Sequence, residues 1–312
     1  MKHHTSPAFY LSPWGSPLVC QMRLVRGKIV HKDRHPDATG FHVDLYKTEG
    51  VPKEHAHDLE TGFMSPLDND AAIARGMLIS GGQPRERYRR AWATFVCSLL
   101  FRHKESVELL KTHISDLWAE ATRALEPMWA ERREPNDPPT FTEATRRAIG
   151  NRAGIDAANM LAGVISNERA VPDIMDMIWT VIDVAEASRN LLTSDRAIVM
   201  PFGLANPKAY IALPISPTKI FVAAYNDRFR QLSNASKSSI VRTMNRDVVR
   251  QAREFVWGTD ASQIHFVEKN IARYPDRVIL TDEQKQEALR SARGETQPAP
   301  TTPPASGSFI PS

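Results

Sequence analysis

The chain has 312 residues, 42% of them apolar, and carries a net charge of +4 from 40 basic and 36 acidic residues. This composition is typical of a globular protein and excludes a fibrous, collagen-like or wholly disordered chain. The positive excess is well short of that of most nucleic-acid-binding proteins, and no apolar stretch approaches the roughly 20 residues that cross a bilayer. We therefore expect a soluble cytoplasmic protein whose two cysteines, Cys20 and Cys97, are buried free thiols.

The first quarter of the chain predicts short strands followed by helix. Residues 18–32 alternate apolar and charged groups around Gly27, a pattern typical of two short strands or of one strand with a bulge. Residues 42–46 are a further strand candidate. From Pro52 onwards the apolar residues recur at helical intervals, and the acidic residues within 68–70 suit the first turn of a helix, where they complement its dipole.

The middle of the chain is predicted to be helical. A strongly amphipathic helix opens with four arginines: Arg85, Arg87, Arg89 and Arg90. Helical spacing continues to about Trp129, and a proline-rich loop at 133–139 interrupts it. Helix resumes near Thr142, and a second apolar helix is predicted over 171–187.

The last third returns to β-type sequence before it ends in helices and a tail. Three β-type runs at 191–202, 210–216 and 219–225 are separated by turn residues and predict an antiparallel meander. Helices are predicted over 240–258, with Gly258 as the C-cap, and over 262–274. Residues 295–312 are rich in Pro, Ser and Thr and are predicted to be disordered.

Strands near both ends of the chain, with helices between them, predict an α+β fold. We expect a small antiparallel sheet built from N-terminal and C-terminal strands, packed against a mainly helical middle. Residues 1–294 would form one domain, and the disordered tail would follow it.

Six stretches of the chain resemble a known family. They are HTSPAFYL at 4–11, TGFHVDLYKTEGVPKEHAHDLETGFMSPLDNDAA at 39–72, AWATFVCSLLFR at 91–102, LLTSDRAIVMPFG at 191–203, ALPISP at 212–217 and MNRDVVRQAREFVWG at 244–258. In this order they resemble the family known as domain of unknown function 4238, over roughly His4 to Ile271. The resemblance implies no particular activity, since none is assigned to the family.

The resemblance also implies which positions are characteristic. They are His4, Pro7, Tyr10, Leu11, Glu60, Arg102, Ser194, Asp195 and Asn245. One position departs from the pattern, because the Ser-Asp turn usually continues to a proline two residues after the aspartate, where this chain has Ala197. Without the fixed φ of proline the turn is less rigid.

Four of these side chains, His4, Glu60, Asp195 and Asn245, are candidate catalytic residues. If the two ends of the chain meet in one sheet, we expect the four to converge. A histidine with two carboxylates can bind Mg²⁺ or Mn²⁺ and assist hydrolysis of a phosphodiester.

Further residues would contact the substrate of such a site. Arg102 or the arginines at 85–90 would bind phosphate, and Tyr10 and Ser194 would complete the substrate site. The sequence thus predicts a metal-assisted hydrolase, with a nuclease acting on nucleic acid as its specific form.

A structural interpretation stays open for each of these residues. Ser194 and Asp195 suit a turn that bonds to its own backbone, while Glu60 and Asn245 suit exposed positions on helices. His4 is either packed beside an apolar N-terminal anchor or functional. In this alternative the chain is a non-catalytic binding or interaction module, in which the same polar residues brace the junction of sheet and helices.

Overall fold

A computed structural model of the protein describes residues 1–15, 17–48, 51–149, 152–226, 235–275 and 281–294. Its helices are α1 (Ala8–Leu11), α2 (Ser65–Ile79), α3 (Glu86–Phe101), α4 (Lys104–Arg132), α5 (Phe141–Ile149), α6 (Arg152–Ile165), α7 (Ala170–Asp176), α8 (Lys237–Gln251), α9 (Ile264–Asn270) and α10 (Asp282–Ala292). Its strands are β1 (Lys2–His4), β2 (Val19–Val25), β3 (Lys28–Arg34), β4 (Phe41–Val43), β5 (Ile178–Asp183), β6 (Thr193–Ser194), β7 (Tyr210–Ser216), β8 (Lys219–Ala224) and β9 (Phe255–Gly258). The α+β class is confirmed, and the predicted tail at 295–312 lies outside the described residues.

Strands from the two ends of the chain pair in one antiparallel sheet of order β3-β2-β9-β6. β2 and β3 form a hairpin whose turn has positive φ at Arg26 (48°) and Gly27 (80°). The two-strand interpretation of 18–32 is therefore the correct one, since two left-handed residues suit a tight hairpin turn. β9 pairs with the other edge of β2, where Cys20 lies opposite Gly258. The predicted meeting of N-terminal and C-terminal strands is confirmed.

Two of the predicted helices are wrong in part. The helix expected over 171–187 ends at Asp176, and residues 178–183 form β5 instead. That run is Ile-Trp-Thr-Val-Ile-Asp, and its β-branched and aromatic side chains favour a strand. The helix expected over 240–258 likewise gives way to β9 at 255–258.

The predicted meander is divided between two sheets. β5, β8 and β7 form a three-stranded antiparallel sheet in that order. β6 pairs with β9 in the four-stranded sheet, with Ser194 opposite Val256. The run at 191–202 therefore belongs to a different sheet from the two runs that follow it.

The smallest sheet pairs β1 with β4 and places His4 opposite Phe41. Just after β1, the backbone N–H groups of Thr5 and Ser6 donate to the carbonyl of Gly40 at 2.8 and 2.9 Å. Gly40 has a φ of 65°, and a Cβ atom there would lie 2.6 Å from the Ser6 carbonyl oxygen. Only glycine fits this crossing, which fixes the position of His4.

Helix α3 runs through the main core and carries a candidate site residue at its end. Trp92 and Phe95 on this helix have no exposed surface. Phe95 contacts Tyr10 with ring centroids 5.9 Å apart, and Trp92 contacts Phe221 of β8 at 5.6 Å. Aromatic contacts with both the N-terminal segment and the three-stranded sheet hold the helix rigidly, and therefore also Arg102 at its C-terminus.

The cysteines and the helices agree with two further predictions. Cys20 and Cys97 are buried free cysteines, and burial raises the pKa of Cys20 to about 11 and that of Cys97 to about 12. Neither thiol is therefore a nucleophile at neutral pH. In the part of the chain that the structure describes, no helix combines the length and apolar character that a membrane span requires.

Candidate functional site

Arg102 forms a buried ion pair with Asp68. Its side chain has no exposed surface, and that of Asp68 is 17% exposed. Nη1 donates to Oδ2 of Asp68 at 3.3 Å, and Nη2 donates to Oδ1 at 3.1 Å. The planar guanidinium matches a carboxylate in this two-bond geometry. The hydroxyl of Tyr46 donates to the backbone carbonyl of Arg102 at 3.0 Å and fixes the end of α3.

Glu60 and Met64 on the helical segment before α2, and Asp68 in the first turn of α2, lie within electrostatic or hydrogen-bond reach of Arg102. Residues Leu59–Met64 form a π-helical turn that continues directly into α2. Side chains four residues apart lie on one face of a helix. Arg102 accordingly contacts Sδ of Met64 at 3.6 Å as well as Asp68. π-helical turns occur frequently at functional sites, where they change the direction of a side chain.

The carboxyl group of Glu60 has one oxygen atom that makes no hydrogen bond within the described residues. Its Oε2 is buried and has no hydrogen-bond partner among the described residues. Burial raises the pKa of Glu60 to about 7, while the positive charge of Arg102 opposes the shift and the negative charge of Asp68 adds to it. A carboxyl group with a pKa near neutrality both accepts and releases protons readily, as general acid–base catalysis requires.

His4 brings an imidazole within electrostatic reach of Asp68. Its ring contacts Phe41 edge-on, with centroids 5.6 Å apart. Its Nδ1 is buried and unpaired. Burial lowers the pKa of His4, against the charges of Asp37 and Asp68 and the backbone of Ser6, so the neutral ring is favoured at pH 7.

We call His4, Glu60, Asp68 and Arg102 the Arg102 cluster. Three of its polar atoms, Nδ1 of His4, Oε2 of Glu60 and Nε of Arg102, are buried and unpaired. An unpaired buried polar group costs about 1–3 kcal/mol, so the presence of three in one cluster makes this cluster the candidate functional site. Three of the predicted site residues, His4, Glu60 and Arg102, thus lie within electrostatic reach of Asp68.

Asp68 is the member of the cluster that sequence reasoning missed. The sequence predicts only that it complements the dipole of a helix, whereas it pairs directly with Arg102. The available signal is its spacing, since Asp68 follows Glu60 by two intervals of four residues with Met64 between them. That spacing predicts a shared face, but not the arginine that the face meets.

Asp195 lies elsewhere and binds the backbone at the start of β9. Its Oδ1 accepts from the N–H of Arg253 at 3.0 Å, and its Oδ2 accepts from the N–H groups of Glu254 and Phe255 at 2.7 and 3.1 Å. Burial raises the pKa of Asp195 to about 6, although these three donors oppose the shift. The carboxylate fastens the turn after β6 to the beginning of β9.

Ser194 and Asn245 also make their hydrogen bonds within the fold. The hydroxyl of Ser194 donates to the carbonyl of Val248 at 3.0 Å. Asn245 is 2% exposed, so its interpretation as a surface position is wrong. Its Oδ1 accepts from the N–H of Leu192 at 2.8 Å and its Nδ2 donates to the carbonyl of Asn190 at 3.0 Å. One carboxamide thereby supplies both a donor and an acceptor that tie α8 to the chain before β6.

Tyr10 is a buried residue of the core. Its hydroxyl is 2.7 Å from Oγ1 of Thr193 and donates to the carbonyl of Pro214 at 2.8 Å. Among the described contacts, no hydrogen bond or ion pair joins the following residues to the Arg102 cluster: Tyr10, Ser194, Asp195 and Asn245. The seven predicted site residues therefore form two groups. Three belong to the Arg102 cluster, and the other four, which we call the internal braces, are Tyr10, Ser194, Asp195 and Asn245.

The arginines at 85–90 differ in their surroundings. Arg87 forms an ion pair with Asp70 at 2.9 Å. Arg89 donates to the carbonyls of Met175 and Met177, at distances from 2.6 to 2.9 Å. Two of the four side chains are thus occupied by contacts within the protein.

Metal-ligand spacing occurs at a different place from the one predicted. In the described part of the chain, the set whose ligand atoms all lie within 4.8 Å of one another is His3, Asp44 and His57. His4, Glu60 and Asp195 do not form such a set there. Two imidazoles with one carboxylate suit a transition metal better than Mg²⁺ or Mn²⁺, which prefer oxygen ligands.

Comparison with known proteins places the chain in a family. No curated protein matches it. No solved structure matches it either. The family model described as Protein of unknown function (DUF4238) matches residues 2–262, a range that includes the Arg102 cluster and all of the internal braces. The chain therefore belongs to the DUF4238 family.

Proposed function

We propose that this protein is a hydrolase in which Glu60 transfers protons and the Arg102–Asp68 ion pair sets the electrostatic environment. The observation that supports it most directly is the buried, unpaired Oε2 of Glu60 within electrostatic reach of a completely buried guanidinium. Catalytic acids and bases are often perturbed by burial and by specific charges in this way. Structural ion pairs have similar effects, so the proposal depends on the unpaired atoms as well.

In the proposed reaction, one water molecule is consumed and Glu60 is regenerated. The carboxylate accepts a proton from water as the water oxygen attacks the substrate and the scissile bond breaks. The protonated carboxyl then gives that proton to the leaving group. The neutral His4 orients the water or the substrate through Nδ1, and the fixed positive charge of Arg102 stabilises the ionised form of Glu60.

The surroundings of the arginines determine whether they could bind a phosphate of the substrate. Arg102 has no exposed surface and cannot clamp a phosphate directly. Arg87 and Arg89 are occupied by internal contacts. We therefore propose no phosphate clamp, and we include nucleic acid as one of several substrates to be tested.

The test of the proposal is Glu60→Gln in the full chain. Hydrolysis is measured with p-nitrophenyl acetate, bis(p-nitrophenyl) phosphate, single-stranded RNA and single-stranded DNA. We expect Glu60→Gln to lower kcat/KM by about 100-fold, the lower end of what a general acid–base group contributes. The wild-type pH profile should show a limb near pH 7, where the Glu60 carboxyl titrates.

Glu54→Gln is the matched control, because Glu54 is an exposed carboxylate six positions earlier in the chain. It should retain wild-type activity. Equal turnover by wild type and Glu60→Gln would contradict the proposal, as would the absence of turnover on all four substrates.

The raised pKa of Glu60 also predicts a pH dependence of stability that needs no substrate. The folded pKa is about 7, above the ordinary 4.5, so the folded state holds this proton more tightly. The stabilising contribution is complete below pH 4.5 and is lost as pH rises through 7. Wild type should therefore lose stability relative to Glu60→Gln between these values, as measured by urea unfolding. Parallel curves for the two proteins would show that Glu60 titrates normally.

A binding or interaction module is the second candidate. The observation that favours it is that Asp195, Asn245, Ser194 and Tyr10 all make their hydrogen bonds within the fold. This is the bracing role that the alternative predicts. Absence of turnover on all four substrates, together with parallel curves of stability against pH for wild type and Glu60→Gln, would select this candidate.

A further inference from the structure

A cavity of about 370 Å³ opens beside helix α8. It lies between the first half of this helix, helix α9 and the chain that follows β5, and each of the three segments contributes lining residues. Its volume is within the range of sites that bind small molecules. None of the four members of the Arg102 cluster lines it, so the cavity is a separate feature of the molecule.

The floor of the cavity is buried and held in place by hydrogen bonds. Asn245 and Gln263 line it and are 2% and 7% exposed. Nδ2 of Asn245 donates to Oε1 of Gln263 at 3.1 Å and to the carbonyl of Asn190 at 3.0 Å. Nε2 of Gln263 donates to the same carbonyl at 2.9 Å. These bonds fix both carboxamides, so the floor is preformed for a ligand.

Two arginines give the cavity a positive charge that no carboxylate neutralises. Arg189 and Arg242 line it, and within the described part of the chain neither makes an ion pair or a hydrogen bond. The described lining residues include no aspartate or glutamate. Arg246, one turn further along α8, pairs instead with Asp247 at 3.1 Å. Two guanidinium groups without a partner at one cavity favour an anionic ligand, to which each can donate two parallel hydrogen bonds.

Four serine side chains add hydroxyl groups to this lining. Oγ of Ser238 accepts from the N–H of Ser188 at 3.1 Å, and Oγ of Ser236 accepts from the N–H of Ser239 at 3.2 Å. The hydroxyls of Ser188 and Ser238 lie 3.3 Å apart, so one of their two protons is shared between them and the other is available to a ligand. A phosphate group has three strong acceptor oxygens, one more than a carboxylate. Several donors at one cavity therefore favour a phosphate.

The cavity also has an apolar part. Phe266 on α9 is half-buried, Val241 on α8 is 2% exposed, and both line the cavity. A free phosphate ion gains nothing from these side chains. A ligand with a flat organic portion buries that portion against them, and aromatic rings stack readily on nucleobases. The charged and apolar parts together favour a phosphate ester with an aromatic group.

We propose that this cavity binds a mononucleotide, whose phosphate contacts Arg189 and Arg242 and whose base contacts Phe266. The site does not depend on the proposed hydrolase activity, because it shares no residue with the Arg102 cluster. It also gives Asn245 a second role, since this internal brace forms part of the cavity floor.

Isothermal titration calorimetry of the full chain tests the site. The probes are the four ribonucleoside monophosphates, adenosine, ribose 5-phosphate and inorganic phosphate. We expect at least one nucleotide to bind more tightly than ribose 5-phosphate and inorganic phosphate, which lack the base. Adenosine, which lacks the phosphate, should not bind measurably. Higher ionic strength should weaken nucleotide binding, because salt screens the charges of exposed arginines.

Substitutions separate the contributions of charge and stacking. Arg189→Gln and Arg242→Gln should each raise the Kd of the tightest nucleotide about tenfold, the effect of losing one charge-assisted hydrogen bond. Both arginines are exposed, so these variants should fold as wild type does. Phe266→Leu should raise the same Kd by about fivefold, because stacking on the base is lost, and should leave the Kd of ribose 5-phosphate unchanged.

Arg246→Gln is the matched control, since Arg246 is an exposed arginine on the same helix outside the cavity lining. It should bind the nucleotide as wild type does. Three results would overturn the proposal. They are no binding of any nucleotide at up to about 10 mM, wild-type affinity in both cavity-arginine variants, and equal Kd values for nucleotide, ribose 5-phosphate and inorganic phosphate.

Discussion

Arg102→Met is expected to lower the free energy of unfolding by about 3–5 kcal/mol, the usual cost of removing one partner of a buried ion pair. The guanidinium has no exposed surface, and its removal leaves the Asp68 carboxylate, 17% exposed, without its partner. Glu60 also loses the positive charge that favours its ionised form. Urea unfolding at pH 7 measures the loss.

Two further variants show whether the unpaired charge is the cause. Arg102→Met combined with Asp68→Asn removes both charges and should recover part of the loss, since the penalty arises from a charge left without a partner. Arg87→Met breaks the pair with Asp70, in which the arginine side chain is 72% exposed. An exposed pair of this kind contributes at most about 1 kcal/mol. Similar losses for Arg102→Met and Arg87→Met would show that the Arg102 pair is no stronger than a surface pair.

Asp195→Ala is expected to cost about 3–4 kcal/mol. It removes the acceptor for three backbone N–H groups at 253–255, and hydrogen bonds to a charged group contribute about 1.5–3 kcal/mol each before relaxation. The loss should be concentrated at β9, the strand that joins the two ends of the chain in one sheet. Urea unfolding gives the magnitude, and hydrogen exchange at β9 gives the location.

Asp260→Ala is the control for this prediction. Asp260 accepts a hydrogen bond from the N–H of Ser262 at 2.8 Å on the exposed surface. Its removal should cost no more than about 1 kcal/mol. If Asp195→Ala unfolds at the same urea concentration as wild type, Asp195 does not brace β9 and a functional role for it becomes the better explanation.

The sequence was sufficient to predict that strands near both ends of the chain form one sheet, because the pattern within each segment determines whether it is a strand. Alternation around Gly27 predicts β2 and β3, and the apolar runs predict β7 and β8. It was insufficient at 178–183, where the same apolar residues satisfy helical spacing as well as strand propensity. The contact with β8 decides between them, and no local pattern contains that contact.

For the candidate site, too, the sequence indicated the residue types but not the atoms that each side chain contacts. His4, Glu60 and Arg102 are recognised by residue type within the family resemblance, and the structure groups them. Asp195 and Asn245 are equally suited to catalysis by residue type, yet both bind backbone groups that lie more than fifty residues away in sequence, and Asn245 also donates to the side chain of Gln263. A polar side chain does not by itself distinguish a catalytic role from a capping role, because the distinction depends on which atoms meet it.

The wide turn at Leu59–Met64 has a consequence for evolution within the family. A π-helical turn, with its i→i+5 hydrogen bonds, contains one residue more than an α-helical turn. A chain shorter by one residue here would therefore close the turn as a regular α-helix, and the residues on either side would keep their directions. Relatives that differ in length by one residue at this turn should accordingly still present both acids, Glu60 and Asp68, to the same side of the helix.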